Sequence, residues 1–106
     1  MRRLMKRGKN IHNNKDRQAP DAAGAMAILA LAFLAEDEAR VERFLSLTGV
    51  EPGDVRARLG DPAFQLAVLD HLAGDESLLL AFAQARSLSP AEIDGARRAL
   101  GGGEEA

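Results

Sequence analysis

A chain of 106 residues with 46% apolar and 28% charged residues has room for one globular domain. It has no Cys, Trp or Tyr. That excludes disulfides, thiolate metal sites and thiol nucleophiles, and leaves only Phe and His to stack on sugars or bases. The net charge of −2 combines a basic segment of +6 over residues 1–18 with a remainder of −8. A cysteine-free chain suits a reducing compartment, and we expect a cytoplasmic protein.

Residues 1–19 lack apolar periodicity, and we predict that they form a disordered basic arm. The simplest interpretation is a solvated terminus or an upstream start codon. The alternative is an arm that binds an anionic partner, either a nucleic acid or a membrane surface. Its candidate contacts are Arg2, Arg3, Lys6, Arg7 and Lys9. Such binding would weaken steeply with salt, and a chain starting at Pro20 would lose it.

A first helix is predicted to begin at Pro20, because proline at the first helical position removes no hydrogen bond. Residues 22–35 carry no charge. This run is too short to cross a bilayer, which takes about 20 residues. A helix that is apolar on all sides is normally buried, so we expect its burial here.

The same segment also resembles an export signal, since a basic stretch precedes an apolar run and Arg2-Arg3 hints at the twin-arginine type. Two observations argue against that reading. Asp21 abuts the apolar run, and cleavage would delete the first helix.

Capping and breaking residues predict the later helices. The predicted N-caps are Asp37, Asp61 and Asp75, and the predicted helix ends are marked by Gly49 and Gly74. These helices cover 38–48, a short segment from 52 to 59, 62–73, 76 to about 87, and 90–100. Residues 89–92, Ser-Pro-Ala-Glu, form a predicted capping box. The sequence therefore predicts an all-α, compact bundle of five to six short helices over residues 20–101, with a disordered tail at 102–106.

A period of 38 residues relates the two halves of this bundle. Over residues 25–56, eight positions are identical to the residue 38 places later, with no gap. They include Asp37/Asp75 and Phe44/Phe82. Because one helical hairpin cannot bury both its apolar faces, we predict an internal duplication in which the second copy covers the first. Two Ala- and Leu-rich hairpins can also align by chance, which is the alternative.

The segments VLDHLAGDESLLLAFA and RFLSLTGVEPGDVRARLGDPAF resemble a family of small bacterial proteins, found chiefly in alphaproteobacteria. The family is known only as domain of unknown function 3572. The resemblance covers about residues 22–101 and implies a small helical protein, with no activity or ligand to carry over. The chain departs from the family pattern at His71, where Phe is usual, and in its long basic arm.

No pattern in the sequence indicates catalysis or a cofactor. Asp70 and His71 are adjacent, but neighbours on a helix point about 100° apart and do not form one site. We interpret His71 as a residue on the helix surface or rim. His12 has no partner at metal-ligand spacing.

We therefore predict a non-enzymatic helical protein that binds another protein or itself. Leu78, Leu79 and Leu80 cannot all face one small core, so they are the predicted protein interface. Nucleic acid is the weaker candidate partner, through the basic arm. No transmembrane segment is predicted.

Overall fold

The computed structural model describes residues 20–101, which form six α-helices and one short 3₁₀ helix without a strand. The all-α prediction is confirmed. The predicted arm and tail lie outside the described residues. The elements are α1 (Pro20–Ala35), α2 (Glu38–Thr48), a 3₁₀ helix (Pro52–Asp54), α3 (Val55–Arg58), α4 (Pro62–Ala73), α5 (Glu76–Arg86) and α6 (Pro90–Ala99).

The predicted capping residues begin four of these helices. The carboxylates of Asp37, Asp61 and Asp75 each accept a hydrogen bond from a backbone N–H in the following turn, at 3.0 to 3.2 Å. Ser89 and Glu92 form the reciprocal capping box, with bonds of 3.1 and 2.8 Å. These bonds satisfy N–H groups that have no partner within the helix, and so fix where each helix starts.

The ends of the helices use two different geometries. Gly49 and Ser87 adopt the left-handed conformation, with φ of 77° and 58°. Glycine suits this conformation because it has no Cβ, whereas Ser87 adopts it with a side chain. Gly74, which the sequence also marks as a helix end, has an ordinary φ of −81°.

Helix α1 lies at the centre of the fold, in contact with α2, α4 and α6. Small side chains on its inner face let α4 and α6 approach closely. The buried side chains form a single cluster. They are Ala23, Ala27, Ala30, Phe33, Leu34, Phe44, Phe64, Val68, Leu69, Leu72, Phe82, Ala83, Ile93 and Ala96.

Ring contacts join the two halves of the core. The Phe33 and Phe82 ring centroids lie 5.5 Å apart, and those of Phe44 and His71 lie 5.2 Å apart. Each residue of the first pair lies 38 positions from one residue of the second. The boundaries of α2 and α5 also recur at this interval. These recurrences agree with the period in the sequence but do not show an internal twofold, so the duplication stays a prediction.

No helix in residues 20–101 is long and apolar enough to cross a membrane.

Candidate functional site

The outward side of α1 is apolar and exposed, so the prediction that this helix would be wholly buried is wrong. Ile28 is 39% exposed and Leu29 46% exposed. At 100° per residue the exposed positions fall on one arc of about 140°. Its uncharged members, named here the α1 face, are Ala22, Ala25, Ile28, Leu29, Ala32 and Ala35.

The α1 face is bounded by charge at both ends. Asp21 precedes it and Glu36 follows it, and both are exposed. Between them no charged side chain interrupts the surface over four turns of helix. The solvent side of a helix in a globular protein usually carries charged and polar residues. An exposed helix face without them is the pattern of an interaction surface.

A groove of about 580 Å³ runs beside the α1 face. Its walls include Ile28 and Leu31 from α1, and Pro52, Val55 and Leu59 from the segment that contains α3. The groove exists because this segment is short and stands away from α1. In the second half of the chain, the corresponding helix α6 is longer and contacts α1, α4 and α5.

One hydrogen bond fixes the far wall of this groove. Gln65 on α4 donates from Nε2 to the carbonyl oxygen of Leu59, at 2.8 Å. Gly24 on α1 makes room for that amide, because a Cβ at this position would lie 2.9 Å from it. This bond ties Leu59, a residue of the groove wall, to α4.

The predicted interface on α5 is divided by the structure. Leu78 and Leu79 are half-buried and pack against the core. Leu80 is 47% exposed. As the sequence argument predicted, the three leucines do not all face the core. Only Leu80, however, exposes a large apolar surface. The interface prediction for Leu78, Leu79 and Leu80 stays untested.

The predicted contacts for an anionic partner, Arg2, Arg3, Lys6, Arg7 and Lys9, all lie outside the described residues.

A second, smaller pocket of about 200 Å³ is polar. Arg40 and Arg43 of α2, His71 of α4, and Asp75 and Ser77 at the start of α5 line it. No group of three His, Asp or Glu side chains in residues 20–101 is placed to hold a metal ion.

His71 is half-buried, which fits the rim position that the sequence interpretation allowed. Its Nε2 atom is buried, with no hydrogen-bond partner in the described part of the chain. Burial lowers the pKa of His71 below its ordinary value, and the Arg43 guanidinium lowers it further, while Asp75 acts in the opposite direction. The neighbouring Asp70 is engaged elsewhere, since it accepts a bond of 2.8 Å from Arg97 of α6. The two residues therefore form no acid–base pair, as their spacing on the helix predicts.

Replacing His71 with Phe should raise the free energy of unfolding by about 1 kcal/mol at neutral pH. The variant removes a buried nitrogen without a partner and keeps the edge-on ring contact with Phe44. Urea unfolding followed by circular dichroism measures the difference. A destabilised variant would contradict this account of the site.

The stability of the natural protein and that of His71→Phe should depend differently on pH. The pKa of His71 is lower in the folded than in the unfolded chain, so the unfolded chain binds the proton more readily. Stability should therefore fall as the pH drops through the ordinary value of 6.5 and level off below the folded pKa. Above pH 6.5 the free energy of unfolding should keep its full value. The His71→Phe variant should not show this loss of stability at low pH. If both proteins lost stability equally as the pH fell, the loss could not be assigned to His71.

The sequence contained one signal for the exposed α1 face. The fourteen uncharged residues of α1 between Asp21 and Glu36 give it an apolar surface on every side. The remaining helices are too short to cover all of that surface. Leu47 on α2 is 63% exposed, lies outside the α1 face and serves below as a control.

Comparison with known proteins identifies one match. A family described as proteins of unknown function (DUF3572) matches residues 20–103. No curated protein and no solved structure matches the chain. The matched range includes every helix described above.

Proposed function

Because the chain belongs to the DUF3572 family, whose members are of unknown function, we propose a function from the geometry. The protein is a non-enzymatic interaction module that binds an apolar helix of a protein partner along the α1 face and its adjacent groove. The cytoplasmic location is part of the same proposal.

The exposure of Leu29 is the observation that carries this proposal. Leu29 is 46% exposed on a helix that lies at the centre of the fold. Packing of α1 against α4 and α6 uses the opposite side, where Ala27 and Ala30 are at most 1% exposed. Within residues 20–101 nothing covers the outer side, so a partner could bind there without disturbing the core.

The groove supports the same function. Ile28 belongs to the α1 face and also lines the groove, so the two surfaces are continuous. Their lining is apolar except for Arg56 in the groove. A ridge beside a groove is the shape that an amphipathic helix occupies in many protein complexes. The polar pocket around His71 supports it less well, because that pocket is small and contains Asp75 beside its two arginines.

The test is affinity capture with three proteins: the natural sequence, Leu29→Lys and Leu47→Lys. A lysine within the α1 face should abolish retention of partners, because its charge would be desolvated on binding. A lysine at Leu47 carries the same charge on another exposed site and should leave retention unchanged. Equal retention by the two variants would contradict the proposal.

A further inference from the structure

We propose that the partner is an amphipathic helix with an acidic residue at one end and a basic residue at the other. This inference rests on the proposed function and states the chemistry of the partner that binds beside α1. Two described side chains of opposite charge, Arg56 and Asp21, select such a helix because they lie at opposite ends of the surface that it occupies.

The surface beside α1 extends along the whole helix. The groove reaches Ala35 at the end of α1, and a recess of about 550 Å³ reaches Asp21 at its start. Ile28 and Leu59 line both the groove and the recess, so the two adjoin, and together they are named here the channel. Position 35 follows position 21 by 14 residues, or about 21 Å of helix, so an occupant of about four helical turns would span the channel.

The middle of the channel carries no charge. Between Asp21 and Arg56, the described residues that line it are apolar residues, glycines and Gln65. The Gln65 amide already donates to the carbonyl oxygen of Leu59, at 2.8 Å. Burial of apolar partner side chains in this middle part would supply most of the affinity. The charges at the two ends would determine which apolar helices bind.

Among residues 20–101, the two charged side chains of the channel have no ion-pair partner. Arg56 and Asp21 are both exposed, and the ion pairs in this part of the chain involve other residues. A carboxylate of the occupant would pair with the Arg56 guanidinium, and a basic side chain would pair with the Asp21 carboxylate. A helix with the same charge at both ends would bring one pair of like charges together, which opposes association.

Selection from a displayed library of helical peptides tests the proposal on the full-length chain. Each peptide has leucines at helical spacing along one face, and the positions in its first and last turns are randomised. The natural sequence should enrich peptides with opposite charges at the two ends. Acids at the start and bases at the end stabilise any helix, so a change in this preference between protein variants is the decisive observation.

The matched variants are Arg56→Glu and Arg58→Glu. Both arginines are exposed on α3, but only Arg56 lines the groove. Arg56→Glu makes both ends of the channel acidic, so selection should shift to peptides with Lys or Arg at both ends. Arg58→Glu changes the net charge equally and should select the same peptides as the natural sequence. In fluorescence anisotropy, a peptide selected on the natural sequence should bind Arg56→Glu at least about tenfold more weakly, with the fold of each variant confirmed by circular dichroism.

The outcomes separate this inference from the proposed function. If Arg56→Glu and Arg58→Glu select the same peptides, or if the natural sequence selects none, the inferred charge pattern of the partner is wrong. The proposed function is decided by the capture experiment with Leu29→Lys and Leu47→Lys. A captured partner whose binding depends on Leu29 but not on Arg56 would support the proposed function and overturn this inference.

Discussion

Replacing Phe44 with Ala should lower the free energy of unfolding by about 3–5 kcal/mol. The Phe44 side chain is 0% exposed and contacts the rings of both Phe64 and His71 on α4. Truncation removes these contacts and leaves a cavity between α2 and α4 that the rigid helices can only partly close. Natural domains are stable by roughly 0.05–0.15 kcal/mol per residue, so this loss is a large part of the total.

The matched control for this prediction lies on the same helix. Leu47 is three residues further along α2 and is 63% exposed. Leu47→Ala should change stability by less than about 0.5 kcal/mol, as is usual for surface positions. Urea unfolding of the two variants measures the contrast. Similar losses at positions 44 and 47 would show that α2 packs through a different face.

Replacing Leu69 with Ala should cost about 2–5 kcal/mol, which is the second large effect. Leu69 is 0% exposed on α4, within the core cluster. The residue 38 positions earlier is Leu31 on α1, and it is only half-buried beside the groove. Leu31→Ala should therefore cost clearly less, because its side chain already borders open space and leaves a smaller cavity.

This comparison also tests how far the two halves of the chain have diverged. Thermal and urea unfolding of both variants give the two losses at matched conditions. Equal losses would mean that the groove beside α1 is closed in solution, and would weaken the proposal that a partner enters it. The sequence period alone predicts equal losses, since it treats positions 31 and 69 as equivalent.

Local chemistry made the helix boundaries predictable. A capping carboxylate such as Asp37 acts on N–H groups two or three residues away, so its effect can be derived from the sequence without knowing the fold. The same holds for the box of Ser89 and Glu92. Each boundary signal acts within one turn, and for that reason the helices lie where the sequence predicts them.

The role of His71 required the tertiary structure. Its neighbours in space include Phe44 and Arg43, which lie more than 25 residues away in the chain. The chemistry of the residue depends on them, since the ring packs edge-on against Phe44 while burial and Arg43 lower its pKa. Sequence reasoning correctly separated His71 from Asp70, but it had no access to these distant contacts.

The sequence by itself predicted five to six helices, with caps and limits close to the observed ones, and it shows that α1 carries no charge between Asp21 and Glu36. The predicted helix over residues 52–59 is divided in the structure into a 3₁₀ helix and the short α3. Only the tertiary structure decided which side of α1 faces solvent. An amphipathic helix indicates its buried side by periodicity, whereas a uniformly apolar helix gives no such indication. The orientation of α1 was set by where α4 and α6 pack, and their contacts leave Ile28 and Leu29 exposed.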